Sequence, residues 1–170
     1  RRVLFRSPEI IETLLAFGAD INARNKKDRT PLHVAVQRKS LNCVEILLRP
    51  HLHSVHALDI NIQDSRGDTA LHDSIRNESS GISDLLISVR NVDFSLCNTH
   101  GFNVLHFAAL QGDAFAVGKL LAQAASRSLV DAKKADGFAA VHLAALNDNI
   151  AVLRLLLEEG RCDPDVRDNR

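Results

Sequence analysis

Apolar residues recur along this chain in short bursts at helical spacing, each closed by glycine or by a polar turn. Ile10, Ile11, Leu14 and Leu15 form a stripe that Gly18 ends, since glycine can take the left-handed conformation that stops a helix. A first helix over residues 30–39 precedes a second over residues 41–48, where Leu41, Val44, Leu47 and Leu48 line one face. Leu71 and Ile75 turn inward in the next burst, but residues 76–81 are polar. Ser79, Ser80 and Gly81 predict a short and weak helix there, the softest part of the chain. Ala108 and Ala109 are small enough to let paired helices approach closely, and Val117, Leu120 and Leu121 supply the facing stripe. The last burst is the most regular, with Ala144, Ala145, Leu153, Leu155, Leu156 and Leu157 ahead of Gly160 as the stop.

One tetrapeptide punctuates the bursts. Thr30-Pro31-Leu32-His33 returns as Thr69-Ala70-Leu71-His72, as Asn103-Val104-Leu105-His106 and as Ala139-Ala140-Val141-His142, with steps of 39, 34 and 36 residues between histidines. Threonine or asparagine at the cap accepts a bond from an N–H of the first turn, and proline at the first helical position gives up a donor that would have been orphaned. Ala139 has no acceptor, a loss of roughly 0.5–2 kcal/mol at that helix start. The histidine, polar on both ring edges, can bond its own turn and the neighbouring unit.

The steps lie close to the period of about 33 residues that marks ankyrin arrays, with the excess expected in loops. The run Leu14-Leu15-Ala16-Phe17-Gly18-Ala19-Asp20-Ile21-Asn22 resembles the second half of an ankyrin unit, and together with the four tetrapeptides it extends the resemblance over residues 8–168. The resemblance implies an all-α solenoid of paired antiparallel helices with β-hairpin loops. Its expected divisions are a partial unit at 8–25 and units at 26–64, 65–98, 99–133 and 134–168, with residues 169–170 opening a further one. Residues 1–7 do not fit: one back-translation, AGA CGT GTG CTC TTC CGA TCT, resembles a sequencing-library adapter. They are expected to be non-native, and the chain is read as a fragment. Both ends would then expose apolar surface, at residues 10–15 and 153–157.

Three stretches narrow the resemblance. Residues 22–36 (NARNKKDRTPLHVAV), 63–75 (QDSRGDTALHDSI) and 130–147 (VDAKKADGFAAVHLAALN) are similar to phrases in the ankyrin region of the mind bomb E3 ubiquitin ligases. Two departures stand out: the insert at residues 51–58, and Asp28 where a hairpin glycine is expected. They suit a divergent, invertebrate member. The resemblance implies a large multidomain parent that ubiquitinates the cytoplasmic tails of Notch ligands and promotes their endocytosis. There, tails are read by domains before the array and the ubiquitin-charged enzyme is recruited by RING domains after it. No Cys/His pattern of RING type occurs in these residues, so this piece binds or spaces and carries no transfer chemistry. A stand-alone ankyrin adaptor or inhibitor is the alternative.

Composition adds exclusions. Lys plus Arg and Asp plus Glu both number 21, so no basic field draws nucleic acid. No apolar run approaches a membrane span. Cys43, Cys97 and Cys162 fall in different units without a Cys-x-x-Cys, as reduced thiols of a cytoplasmic protein would. His51, His53 and His56 share the insert, but a pliant loop without a fixed fourth ligand makes a poor zinc site. No cofactor or metal is expected. Cys43 or Ser74 could serve as a nucleophile only beside a histidine, and the four repeated histidines read as one structural position. Glu158 and Glu159 are adjacent and diverge on a helix. The segment reads as non-enzymatic.

Ankyrin proteins bind through hairpin tips and the exposed side of each first helix, which make a concave strip. By register this strip holds Lys26, Lys27, Arg29, Gln37 and Arg38, then Ser65, Arg66, Asp68, Arg76 and Asn77. Next come Thr99, His100, Phe102, Leu110 and Gln111, and finally Ala135, Asp136, Phe138, Leu146 and Asn147. The first half is mainly basic and the second turns apolar. The expected partner is a protein or peptide segment with acidic residues at one end and apolar anchors at the other, bound to a monomer. Phe102 and Phe138 are the expected anchors, unless they simply pack against each other.

Overall fold

The computed structural model describes residues 7–49, 57–163 and 165. Helix α1 (Pro8–Ala16) is followed by four helix pairs: α2 (Pro31–Gln37) with α3 (Leu41–Leu48), and α4 (Ala70–Arg76) with α5 (Ser80–Ile87). The other two are α6 (Val104–Gln111) with α7 (Ala114–Ala122), and α8 (Ala140–Leu146) with α9 (Ile150–Glu158). Each helix packs on its own partner and on its counterparts in the flanking pairs, so α2, α4, α6 and α8 form one row and α1, α3, α5, α7 and α9 a second. The core runs between the rows. Ala35, Ala108 and Ala144 are fully buried where paired helices touch, and Val44, Leu86, Leu120 and Leu156 fill the facing side.

The helix starts follow from the tetrapeptide. Thr30, Thr69 and Asn103 accept from the N–H of His33, His72 and His106, at 3.5, 3.4 and 2.9 Å. Each imidazole returns the favour through Nδ1, which accepts from the cap residue's own N–H at 3.3, 3.2 and 3.4 Å. At Ala139 only this return bond remains, from the Ala139 N–H to His142 Nδ1 at 3.0 Å. Helix α1 has a cap of its own: the Ser7 hydroxyl accepts from the Ile10 N–H, although Ser7 was expected to lie outside the fold.

The connecting loops are tight reversals, with no strand among the described residues. Four share an N–H to carbonyl bond, Asn25 to Arg29 (3.1 Å), Asp64 to Asp68 (2.8 Å), Asn98 to Phe102 (2.9 Å) and Lys134 to Phe138 (2.9 Å), and in each the N–H of Asp28, Gly67, Gly101 or Gly137 also returns to the first residue's carbonyl. Gly67, Gly101 and Gly137 take left-handed φ values of 73°, 76° and 87° in these turns, and Asp28 takes 55° at the same place. The missing glycine therefore leaves the turn's shape intact. Adjacent reversals are joined by Ser65 N–H to the Lys27 carbonyl (3.0 Å) and Thr99 N–H to the Arg66 carbonyl (2.9 Å). On the other loops Asn22 bonds the Ala57 carbonyl and the Asp59 N–H, and Asn61 bonds the Asn91 carbonyl and the Asp93 N–H.

Several expectations are corrected. The first helix is Pro31–Gln37 rather than residues 30–39, because Thr30 is its cap and Lys39 turns left-handed at φ 55°. Helix α5 is not short: it has eight residues, as does α3, because Ile82, Leu86 and Ile87 are buried despite the weak propensity of its start. The excess after α7 is not all loop. Residues Ala124–Leu129 form a 3-10 helix, η1, that packs on α7 and buries Ser126 and Leu129. The ends are less exposed than expected, since Ile11, Leu15 and Leu156 are buried, and only Ile10 and Leu157 of the named stretches stand out among exposed large apolar residues. His51, His53 and His56 lie outside the described residues.

Candidate functional site

The strip is built from one repeated pairing. In every pair a residue just before the cap and a residue at the end of the first helix stand eight positions apart, and in the first two pairs they are in contact. In the first pair Arg29 donates to Gln37 Oε1 at 2.5 Å. In the second, the same positions hold Asp68 and Arg76, joined at 2.7 Å. In the third and fourth they hold Phe102 with Leu110, and Phe138 with Leu146.

Around Asp68 the strip is ionic. Arg66 reaches Asp64 (3.4 Å), Asp68 (3.3 Å) and Asp73 (3.1 Å), and Arg76 reaches Asp73 at 2.6 Å as well as Asp68. Asn98 donates its side-chain amide to Asp68 at 2.9 Å. Burial pushes the Asp68 carboxyl upward, but Asn98 and Arg76 more than reverse that and hold it below the usual carboxylate range. At Asp73 burial prevails over Arg76 and Arg66, and its pKa is raised. Asp73 Oδ2 is buried with no hydrogen-bond partner, and so is Arg29 Nε. Arg76 also lies over the Phe107 ring at 4.9 Å.

The sequence places Arg66 and Arg76 on a basic surface. Three carboxylates answer them, so the open positive charge of the strip gathers at the first pair, where Lys26, Lys27 and Arg38 are exposed. Asp64 and Asp73 were missed. The available signal was Asp73 itself, which stands where the other first helices carry Val34, Phe107 and Leu143.

The apolar half is partly covered. Phe102 is half-buried, edge-on to Phe107 (5.9 Å) and His106 (6.5 Å), with Lys134 Nζ 3.9 Å from its ring centre. Phe138 is half-buried and edge-on to His142 at 5.7 Å. Leu110 is half-buried, whereas Leu146 is 67% exposed. Ser65, Thr99, His100, Gln111, Ala135, Asp136 and Asn147 are exposed and Asn77 half-exposed.

The repeated histidines work between pairs. His33 Nε2 meets the Asp68 carbonyl at 3.1 Å and His72 Nε2 the Phe102 carbonyl at 3.1 Å. With Nδ1 accepting from the cap N–H, the proton resides on Nε2, which donates. His106 breaks register: it donates to the Ala132 carbonyl at 2.8 Å, six residues before Phe138. Burial lowers the pKa of all three. These rings are structural clips, and the Ser74 hydroxyl is engaged by the Leu71 carbonyl and Ser83 rather than by a histidine. Among the described residues no group of three or more His, Cys, Asp or Glu could hold a metal ion, and no helix is long and apolar enough to cross a membrane. Cys43 and Cys162 are buried and Cys97 is exposed, all three as free thiols.

Comparison with known proteins places these features in a family. Residues 3–95 and 80–168 match the family model described as ankyrin repeats (3 copies). The NF-kappa-B p105 subunit of Gallus gallus is 28% identical over 165 residues, 92% of this chain and 16% of its own length. The transient receptor potential cation channel subfamily A member 1 of Homo sapiens is 27% identical, across 94% of this chain and 17% of its own. A shorter match, 50% identical over 50 residues, is to the E3 ubiquitin-protein ligase MIB2 of Gallus gallus, 29% of this chain and 5% of that one. The chain thus spans a small part of each relative. Among solved structures, the ankyrin repeat domain of Bcl-3, a member of the IkappaB protein family, superposes with a TM-score of 0.82 at 25% identity, covering 95% of this chain and 68% of that one. The ankyrin repeat protein EF0377 has the same fold, with a TM-score of 0.82 at 22% identity, covering 96% and 81%.

Proposed function

We propose, from the premise that this chain belongs to the ankyrin-repeat family, that it is a binding and spacing module within a mind bomb-like E3 ubiquitin ligase. Ankyrin repeats are non-catalytic and mediate protein–protein interaction. The observation that carries a binding role here is the repeated eight-residue pairing. It presents Arg29 with Gln37, Asp68 with Arg76, Phe102 with Leu110 and Phe138 with Leu146 in series, a surface that passes from a cation beside an amide, through an ion pair, to two apolar steps. Such variation at one register is unnecessary for stacking and is suited to reading a partner.

The ligase assignment is supported by the 50-residue match to MIB2 and by the three stretches at residues 22–36, 63–75 and 130–147. On this reading the module is cytoplasmic and serves a parent that acts on Notch ligands and promotes their endocytosis. The second reading, an adaptor or inhibitor without ligase activity, is supported by the longer matches to the p105 subunit and Bcl-3. The full-length transcript separates them. RING-type Cys/His spacing downstream supports the ligase, and an end after one more unit removes it. For the strip, Phe102→Ala and Phe138→Ala should each weaken partner capture by the parent protein while far-UV circular dichroism stays unchanged. Unchanged capture in both removes these two anchors.

A further inference from the structure

We propose that the strip reads an extended segment in three parts: an acidic pair, an uncharged stretch of about six residues, and an apolar pair. This rests on the interaction reading above and specifies the partner. Lys26 and Lys27 on the first reversal and Arg38 after α2 are exposed, and none of them forms an ion pair among the described residues. An acidic pair is the natural complement at that end.

The centre refuses the same group. Asp64, Asp68 and Asp73 set three carboxylates against the guanidiniums of Arg66 and Arg76, all within 3.4 Å, so both arginines are engaged and the surplus charge is negative. A partner carboxylate laid across α4 would meet repulsion and would have to pull an arginine from a cluster that already holds it. Beyond α4 the pairing turns apolar, with Leu110 half-buried and Leu146 67% exposed at the ends of α6 and α8.

Geometry sets the spacing. Neighbouring packed helices lie about 8–10 Å apart, so two steps from α2 to α6 cover roughly 20 Å. An extended chain rises about 3.3 Å per residue, giving about six residues between acidic and apolar anchors.

The test uses the whole chain and labelled synthetic peptides in which Asp-Glu and Leu-Ser-Thr-Leu, its leucines set about one helix step apart, are separated by two, six or twelve serine and threonine residues, each made in both chain directions. Fluorescence anisotropy should give the six-residue spacer an affinity at least about fivefold above the others in one direction. Aspartate in mid-spacer should weaken it further. Lys26→Glu with Lys27→Glu should lower affinity about fivefold and remove its salt dependence. Leu146→Ser should lower it by about fivefold or more, with the fold verified by circular dichroism. Equal binding by all spacers, indifference to charge reversal, or no binding by any peptide overturns the three-part motif. The broader interaction reading fails on a different result: strip substitutions that leave capture by the parent protein unchanged.

Discussion

Arg76 at the end of α4 donates to the Asp68 carboxylate at 2.7 Å, closing the same gap that Arg29 and Gln37 close one pair earlier. The arginine stands on the reversal in the first pair and on the helix end in the second. Because Asp68 is buried and Arg76 is 28% exposed at its side chain, the contact is worth more than a surface ion pair. Arg76→Ala should cost about 2 kcal/mol, since two carboxylates lose a counter-charge. Asp73→Leu should instead stabilise by about 1 kcal/mol at neutral pH. It removes a buried oxygen without a partner and restores the apolar side chain found at Val34 and Leu143. Urea unfolding of both variants checks the opposite signs.

Two turn positions should respond in opposite directions to substitution. At Gly67 an added Cβ would lie 2.9 Å from the Thr99 nitrogen with φ at 73°, so Gly67→Ala should destabilise by about 2 kcal/mol. Asp28 pays a left-handed conformation with a side chain attached, and Asp28→Gly should gain about 0.5 kcal/mol. Paired thermal melts would reveal either sign.

The hydroxyls of Ser74 and Ser83 meet at 3.0 Å with neither residue exposed, and Ser74 donates onward to the Leu71 carbonyl at 2.8 Å. Ser74→Ala alone strands the Ser83 hydroxyl and should cost about 1–2 kcal/mol. Adding Ser83→Val, the residue found at Val44 and Val117, should return the chain to at least its original stability. A double-mutant cycle measures the coupling, and additive losses would contradict it.

Acid should loosen the fold before the carboxylates titrate. His33, His72 and His106 are held below the ordinary histidine value of about 6.5 by burial. Between that value and their folded values the unfolded chain binds more protons, so stability is full above about pH 6.5 and falls as pH drops through and below it. Asp68, held low, adds to the loss only further down, in the carboxylate range. Asp73, held high, opposes it there. Urea midpoints between pH 7.5 and pH 5 give the slope, and NMR titration of the imidazole carbons assigns it. A flat profile would exclude neutral, buried rings.

The helices and their caps were legible because each depends on residues within a few positions of one another, as Thr30 and His33 do, whereas the histidine clips reach 26 to 35 residues and were legible only through the recurrence of the histidine once per unit. Helix η1 was not, since residues 124–129 carry no apolar period and take shape only against α7. The strip was half legible. Register located Arg66 and Arg76, but their neutralisation by Asp64, Asp68 and Asp73 depends on a reversal folding back over a helix end. Linear order hides that proximity. Phe102 was legible as an aromatic on the strip, whereas its cover came from Lys134, one pair further along.

The third clip lands ahead of the next reversal. His33 and His72 seize the carbonyl just ahead of the following cap, whereas His106 takes that of Ala132, in the unit whose tail carries η1. A bond next to the cap resists rotation of the following helix. One six residues upstream leaves a longer lever. Asn149 shortens that lever: from the start of α9 its side-chain amide donates to the Ala109 carbonyl at 2.9 Å, so the fourth pair is moored to the third from its far end and the slipped clip moves the tie without opening a joint.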